Sequence, residues 1–192
     1  MQQAELEIAY RLRADSCLYF EGFSSDIQLA TRVTSITSVA CNTGVYLVPR
    51  IPGREVKRVL GIEEGYASDA LPPCSYLDML ASRDHVVDLS VFTELRFVSY
   101  TDPITGMPVR CYVVVAKPGV VFEGVLRVGI EEFCSTLLQS LEEAASYGLV
   151  LGGLRGIGCG HLSLESLALK WKGGVVSGVR EVLARGAELC RG

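Results

Sequence analysis

From Leu6 to Asp15 the chain alternates without a break. Leu6, Ile8, Tyr10, Leu12 and Ala14 fall on one side; Glu7, Ala9, Arg11, Arg13 and Asp15 fall on the other. A period of two marks a half-buried strand. The pattern returns at 121–130, where Phe122, Gly124, Leu126, Val128 and Ile130 share a face. It returns again in "HLSLESLALKW", 161–171. Between these last two the period becomes helical, with Phe133, Leu137, Leu141 and Ala144 on one stripe. Glu131 and Glu132 sit at the positive end of that helix, and Gly148 is placed to stop it.

The remaining segments fill in an order. "VYLVP" is extended, and Pro49 and Pro52 forbid a ladder or helix running on through them. After Gly53, Val56, Val59 and Leu60 share a helical face, and Gly61 offers a stop. The Ser/Thr-rich stretch 23–43 reads as a long loop with some extended structure. Residues 61–90 read as an insertion, partly helical around Tyr76–Ser82. "VFTELRFVSYT" and "VRCYVVVAK" flank the turn signal "DPITGMP" and predict a hairpin. A short C-terminal helix carries Val179, Val182, Leu183 and Ala187 on its apolar face. Strand, helix, strands, helix, strand predicts α+β architecture: a ferredoxin-like, RNA-recognition-motif-like antiparallel sheet with insertions. The whole chain, 1–192, reads as one domain.

Composition narrows the function classes. The chain is 49% hydrophobic, enough for a core and against disorder. Net charge is −4, so any polyanion site must be a local basic patch. Arginines outnumber lysines, 14 to 4, which favours planar recognition of phosphate or of carboxylate partners. A single asparagine, Asn42, points to a thermophilic source. The seven cysteines form no CxxC pair and there are two histidines, so no zinc site is expected. Most of these cysteines read as small buried hydrophobes, with disulfides open to a hyperthermophile. With no apolar run near 18 residues and no leader-like N-terminus, the expected setting is soluble and cytoplasmic.

Two stretches carry candidate chemistry. Arg50, Arg54, Lys57 and Arg58 against Glu55 give +3 over nine residues. A helix starting after a Pro-Gly turn also offers free N–H donors to phosphate. The plain alternative is a solvated helix face balanced by Glu63 and Glu64. The second stretch, "GGLRGIGCGHL", has five glycines in eleven residues. Gly153, Gly156 and Gly158 let a phosphate or a neighbouring strand approach the backbone, and Arg155 can pair a phosphate bidentately. It is not a Walker loop, and its spacing and following strand rule out a dinucleotide fingerprint. The plain alternative is a crossing between helix and strand. His161 borders the loop as a candidate acid/base or hydrogen-bonding side chain, and His85 has no evident partner. Tyr19, Phe20 and Phe23 are candidates for stacking or for core.

Three segments, in order, resemble one family. "VPRIPGREVKRVL" (48–60) is similar to an isoleucine-proline-glycine turn leading into a basic helix. "TDPITGMPVRCYVVVAKPGVVFEGVLRV" (101–128) is similar to a turn, strand, Pro-Gly break and Phe-containing strand, and "GGLRGIGCGHLSLE" to a C-terminal glycine-rich loop. All three resemble segments of the RAMP proteins of CRISPR–Cas effector complexes, most like the type III backbone class. The resemblance implies binding of CRISPR RNA by phosphate and shape contacts, beside other RAMP subunits, a large effector subunit and target RNA, for antiviral defence. Two positions depart from the family: Arg54 and Glu55 stand where two serines usually follow the turn. The family's cleaving aspartate, in the loop after the first strand, has one candidate here, Asp26, which lies far upstream of the turn. A divalent metal is implied only if Asp26 cleaves RNA. Two other readings stand beside this: a RAMP-related endoribonuclease processing precursor CRISPR RNA through His161 or His85, and a ferredoxin-like oligomerisation module without RNA.

Overall fold

The computed structural model describes residues 5–21, 32–83, 87–101 and 104–191. Asp26, Phe23 and His85 lie outside them. The alternating segments form the long strands of the main sheet: β1 (Glu5–Ala14), β8 (Val121–Gly129) and β10 (His161–Trp171). The sheet runs β11–β10–β1–β8–β5, with β5 (Tyr66–Ala67) and β11 (Gly174–Ser177) at its edges and β9 (Leu149–Val150) beside the start of β10. Every neighbouring pair is antiparallel.

Leaving out the short β9 and β11, the frame is β1, α1 (Gly53–Leu60), β5, β8, a second helical layer and β10. The last strand lies beside the first, which is ferredoxin-like topology. The second helical layer starts as α3 (Ile130–Glu132), passes through one π-helical segment at Phe133–Leu137 and continues as α4 (Leu138–Tyr147). α5 (Val179–Leu189) packs beside it and against β10.

Alternation decides which face is covered. Leu6, Ile8 and Leu12 of β1 share a core with Phe122 and Leu126 of β8 and Leu162 and Leu167 of β10. That core is closed by Val56 and Leu60 of α1, Leu141 and Ala144 of α4, and Val182 of α5. Each leucine-sized side chain so buried contributes about 1.5–3 kcal/mol. Gly124 is required by close approach: it faces Tyr10 across the β1–β8 pair, and a Cβ there would collide with the Tyr10 hydroxyl. That hydroxyl is buried without a hydrogen-bond partner, and burial, reinforced by the Asp69 charge, pushes the phenol far above its ordinary range.

The opposite face of the sheet is open and ion-paired. Arg11 meets Glu123, Arg127 meets Glu7 at 3.0 Å, and Arg13 meets Glu165 at 3.4 Å.

Two hairpins stand outside this frame. β3 (Ile36–Cys41) and β4 (Gly44–Pro49) pair with each other, so the loop expected over 23–43 contains a full strand. β6 (Thr93–Thr101) and β7 (Pro108–Ala116) form the expected hairpin, with β2 (Arg32–Val33) running parallel to β7. The segment 61–90 holds edge strand β5 and α2 (Cys74–Ala81), which packs on β3.

The cysteines correct the sequence reading. Six of the seven are paired: Cys17–Cys159, Cys41–Cys74 and Cys134–Cys190, with Cα–Cα distances of 4.7, 5.4 and 5.4 Å. Cys111 is free and half-buried. The pairs span 142, 33 and 56 residues, separations that no local spacing pattern advertises.

Candidate nucleic-acid interface

The basic segment folds as expected, but most of its charge is already engaged. α1 starts at Gly53 after Pro52 and ends at Gly61, which takes the left-handed conformation at φ 68°. Gly53 is itself locked in place, since a Cβ there would run into the backbone carbonyls of Ala67 and Ser68. Its N–H donates to Asp69 Oδ1 at 2.9 Å, and Asp69 Oδ2 accepts from Arg50 at 2.9 Å. The helix N-terminus read as open to phosphate therefore already holds an internal carboxylate at one donor. Lys57 Nζ donates to the carbonyls of Gly65 and Glu63, at 2.9 and 3.3 Å, tying the far end of α1 to the chain beyond it. Arg58 pairs with Glu55 at 2.7 Å, one turn back. Arg54 is exposed and has no ion-pair partner among the described residues. Among the described residues, Arg54 is the one of these four cations with no existing pairing to break.

The glycine loop divides into a packed part and an open part. Gly152 takes φ 81°, and a Cβ there would sit 2.5 Å from the Tyr19 carbonyl. Gly153 donates its N–H to that same carbonyl at 2.7 Å. Gly160, at φ 105°, passes equally close to the Leu151 carbonyl. Gly156 and Gly158 face open space, with nothing near the Cβ position, on a short 3-10 turn at Arg155–Ile157. Arg155 is exposed and donates through Nε to the Gly152 carbonyl at 2.9 Å, closing the loop on itself. The Cys17–Cys159 bond then fixes the loop to the segment after β1, in a small core with Tyr19, Val98, Val113 and Val115.

These two stretches, about a hundred residues apart in sequence, are joined by one hydrogen-bonded path. Gly153 bonds to Tyr19; Ser35 N–H donates to the Phe20 carbonyl at 2.7 Å; Arg50 N–H donates to the Ser35 carbonyl at 3.0 Å. Arg50 Nε also donates to Ser35 Oγ at 2.7 Å. Tyr19 and Phe20 are buried and serve the scaffold. Sequence reading missed Ser35 and Asp69. The only sequence signal for Asp69 was a carboxylate sixteen residues past a helix start, which is no signal without the fold.

His161 opens β10 and is exposed; its backbone N–H donates to Ser16 Oγ at 2.9 Å. Ser163, next on the same face, gives its hydroxyl proton to Asp15. His161, Ser163 and Asp15 line a small depression of about 300 Å³ with Ser146 and Tyr147. Among the described residues no three His, Cys, Asp or Glu side chains converge on one point. Nor, among them, is any helix long and apolar enough to cross a membrane.

No family model matches the chain, and no curated protein matches it. A solved structure does. The chain superposes with a TM-score of 0.54 on one chain of the cryo-EM structure of the Type III-B Cmr-beta bound to cognate target RNA. Identity is 10%; the match covers 88% of this chain and 61% of that one. At this identity the likeness is one of fold alone: an α+β, ferredoxin-like frame.

Proposed function

We propose that this chain is an RNA-binding subunit of a CRISPR ribonucleoprotein effector complex, holding guide RNA by phosphate and shape contacts. One observation carries the reading. The basic segment Arg50–Arg58 and the glycine loop are built onto a single hydrogen-bonded scaffold through Ser35 and Tyr19–Phe20. The fold likeness to a subunit of an RNA-bound effector complex supports it. Arg54, the exposed guanidinium of Arg58, and Gly156 with Arg155 present donors to solvent on this scaffold. Contacts of this kind read backbone and shape, leaving sequence to base pairing. Sibling subunits, a large subunit and target RNA are the partners this role requires.

The test is a salt titration of guide RNA binding. Arg54→Ala combined with Arg58→Ala lowers affinity and reduces the salt slope by about one for each phosphate no longer neutralised. An unchanged affinity and slope overturns the assignment. For target cleavage by an assembled complex, Asp26 is the carboxylate to substitute, and full cleavage by Asp26→Ala removes it as a catalyst. RNA processing that persists in EDTA and vanishes in His161→Ala would replace this reading with the endoribonuclease one.

A further inference from the structure

The β6–β7 hairpin has two unlike faces. Its inner face packs Val98, Val113 and Val115 onto Tyr19 and the Cys17–Cys159 pair of the glycine loop. Its outer face is set by register: Leu95 opposite Val114, Phe97 opposite Tyr112, Ser99 opposite Arg110. Leu95 is 61% exposed, Phe97 57% and Tyr112 54%. The two rings touch edge to face, with centroids 5.4 Å apart. Arg110 is exposed with no ion-pair partner among the described residues, and none of these six side chains is a carboxylate.

We infer that this outer face is a stacking platform for the bases of single-stranded RNA, with Phe97 and Tyr112 under the bases and Arg110 on a phosphate. Two exposed rings side by side on adjacent strands offer π-faces that any base can cover, and such stacking is tolerant of sequence. An arginine with no ion-pair partner among the described residues gives the complementary charge. The open face of the main sheet is a poor rival. Its three long strands put no Phe, Tyr or Trp there, the exposed Tyr66 of edge strand β5 stands without a second ring beside it among the described residues, and Arg11, Arg13 and Arg127 are each ion-paired. The inference rests on the RNA-binding reading above but uses a separate surface, joined to the glycine loop through the hairpin's inner face.

The experiment is binding of a fluorescently labelled single-stranded oligoribonucleotide to the intact chain and its variants. Phe97→Ala and Tyr112→Ala, each confirmed folded by circular dichroism, lower affinity by roughly five- to a hundred-fold and leave the salt slope unchanged. Phe97→Trp retains affinity, and its added indole fluorescence is quenched as RNA saturates it. Folded alanine variants that bind like wild type, while Arg54→Ala with Arg58→Ala weakens binding, overturn the platform and leave the proposed function standing. A wild type with no RNA affinity overturns both. Self-association of the wild type that Phe97→Ala abolishes without changing RNA affinity assigns the face to a protein partner and overturns the inference.

Discussion

Asp69 shows how one side chain changes the meaning of a motif. It caps Gly53 and holds Arg50, so it decides which cations of the basic segment are available. Removing it uncaps α1 and frees the Arg50 Nη1 from its ion pair, leaving the Nε bond to Ser35. Asp69→Ala is expected to cost about 0.5–2 kcal/mol, the range for lost helix caps, read as a lower midpoint in urea. A second carboxylate works at the other hairpin. Asp78 on α2 accepts from the N–H of Thr43 at 3.0 Å and from its hydroxyl. Those hydrogen bonds hold the Asp78 carboxyl below the ordinary aspartate value. A carboxyl with a lowered folded pKa adds stability that is full above the unfolded value and fades as pH falls through the folded one. Thermal melts of Asp78→Asn should therefore lie below wild type near neutrality and converge toward it as pH falls, losing part of the decline that wild type shows below the usual carboxylate range.

At the level of elements, the glycine loop is the clearest case. Its five glycines look alike in sequence, yet their surroundings divide them. Gly152→Ala must fit a Cβ against the Tyr19 carbonyl at a φ of 81°, so it is expected to destabilise by about 1 kcal/mol or more. Gly156→Ala meets open space at an ordinary φ and should leave the melting temperature within about a degree or two. If RNA passes close to this backbone, Gly156→Ala weakens binding without touching stability, which comparison of melts with binding curves resolves. The last two helices meet in the same spirit. Gly186 of α5 lies directly against Phe133 and Leu138, where a Cβ would come within 3 Å of both side chains. The Cys134–Cys190 pair clips that packing shut.

The whole molecule is stapled in three places. One disulfide holds the glycine loop to the end of β1, one holds the β3–β4 hairpin to α2, and one holds the π-helical segment to the end of α5. Loop-closure entropy gives the 142-residue span about 5 kcal/mol and the other two about 4 each, taken singly. Reductant should lower the melting temperature markedly, and Cys17→Ser should lower it more than Cys41→Ser. Equal shifts would mean that native-state strain or residual structure in the unfolded chain dominates over span. Three such bonds also fit a chain that matures in an oxidising compartment or in a thermophile, the source to which its scarce amides point.

The frame is written in the chain itself. The alternation of β1, β8 and β10 and the helical stripe of 131–147 were legible, because burying one face of a strand or helix imprints its period on the residues. The boundaries of α1 were legible too, because Pro52 and Gly61 act through local dihedrals. The β3 strand was hidden, since none of its residues is fully buried and its sequence carries no clean period. The folded arrangement settled the rest: that Asp69 occupies the helix start, that six cysteines find partners, and that Phe97 and Tyr112 share an exposed face. Each depends on which distant residues the topology brings within a few ångströms, and that information is absent from any window of neighbouring residues.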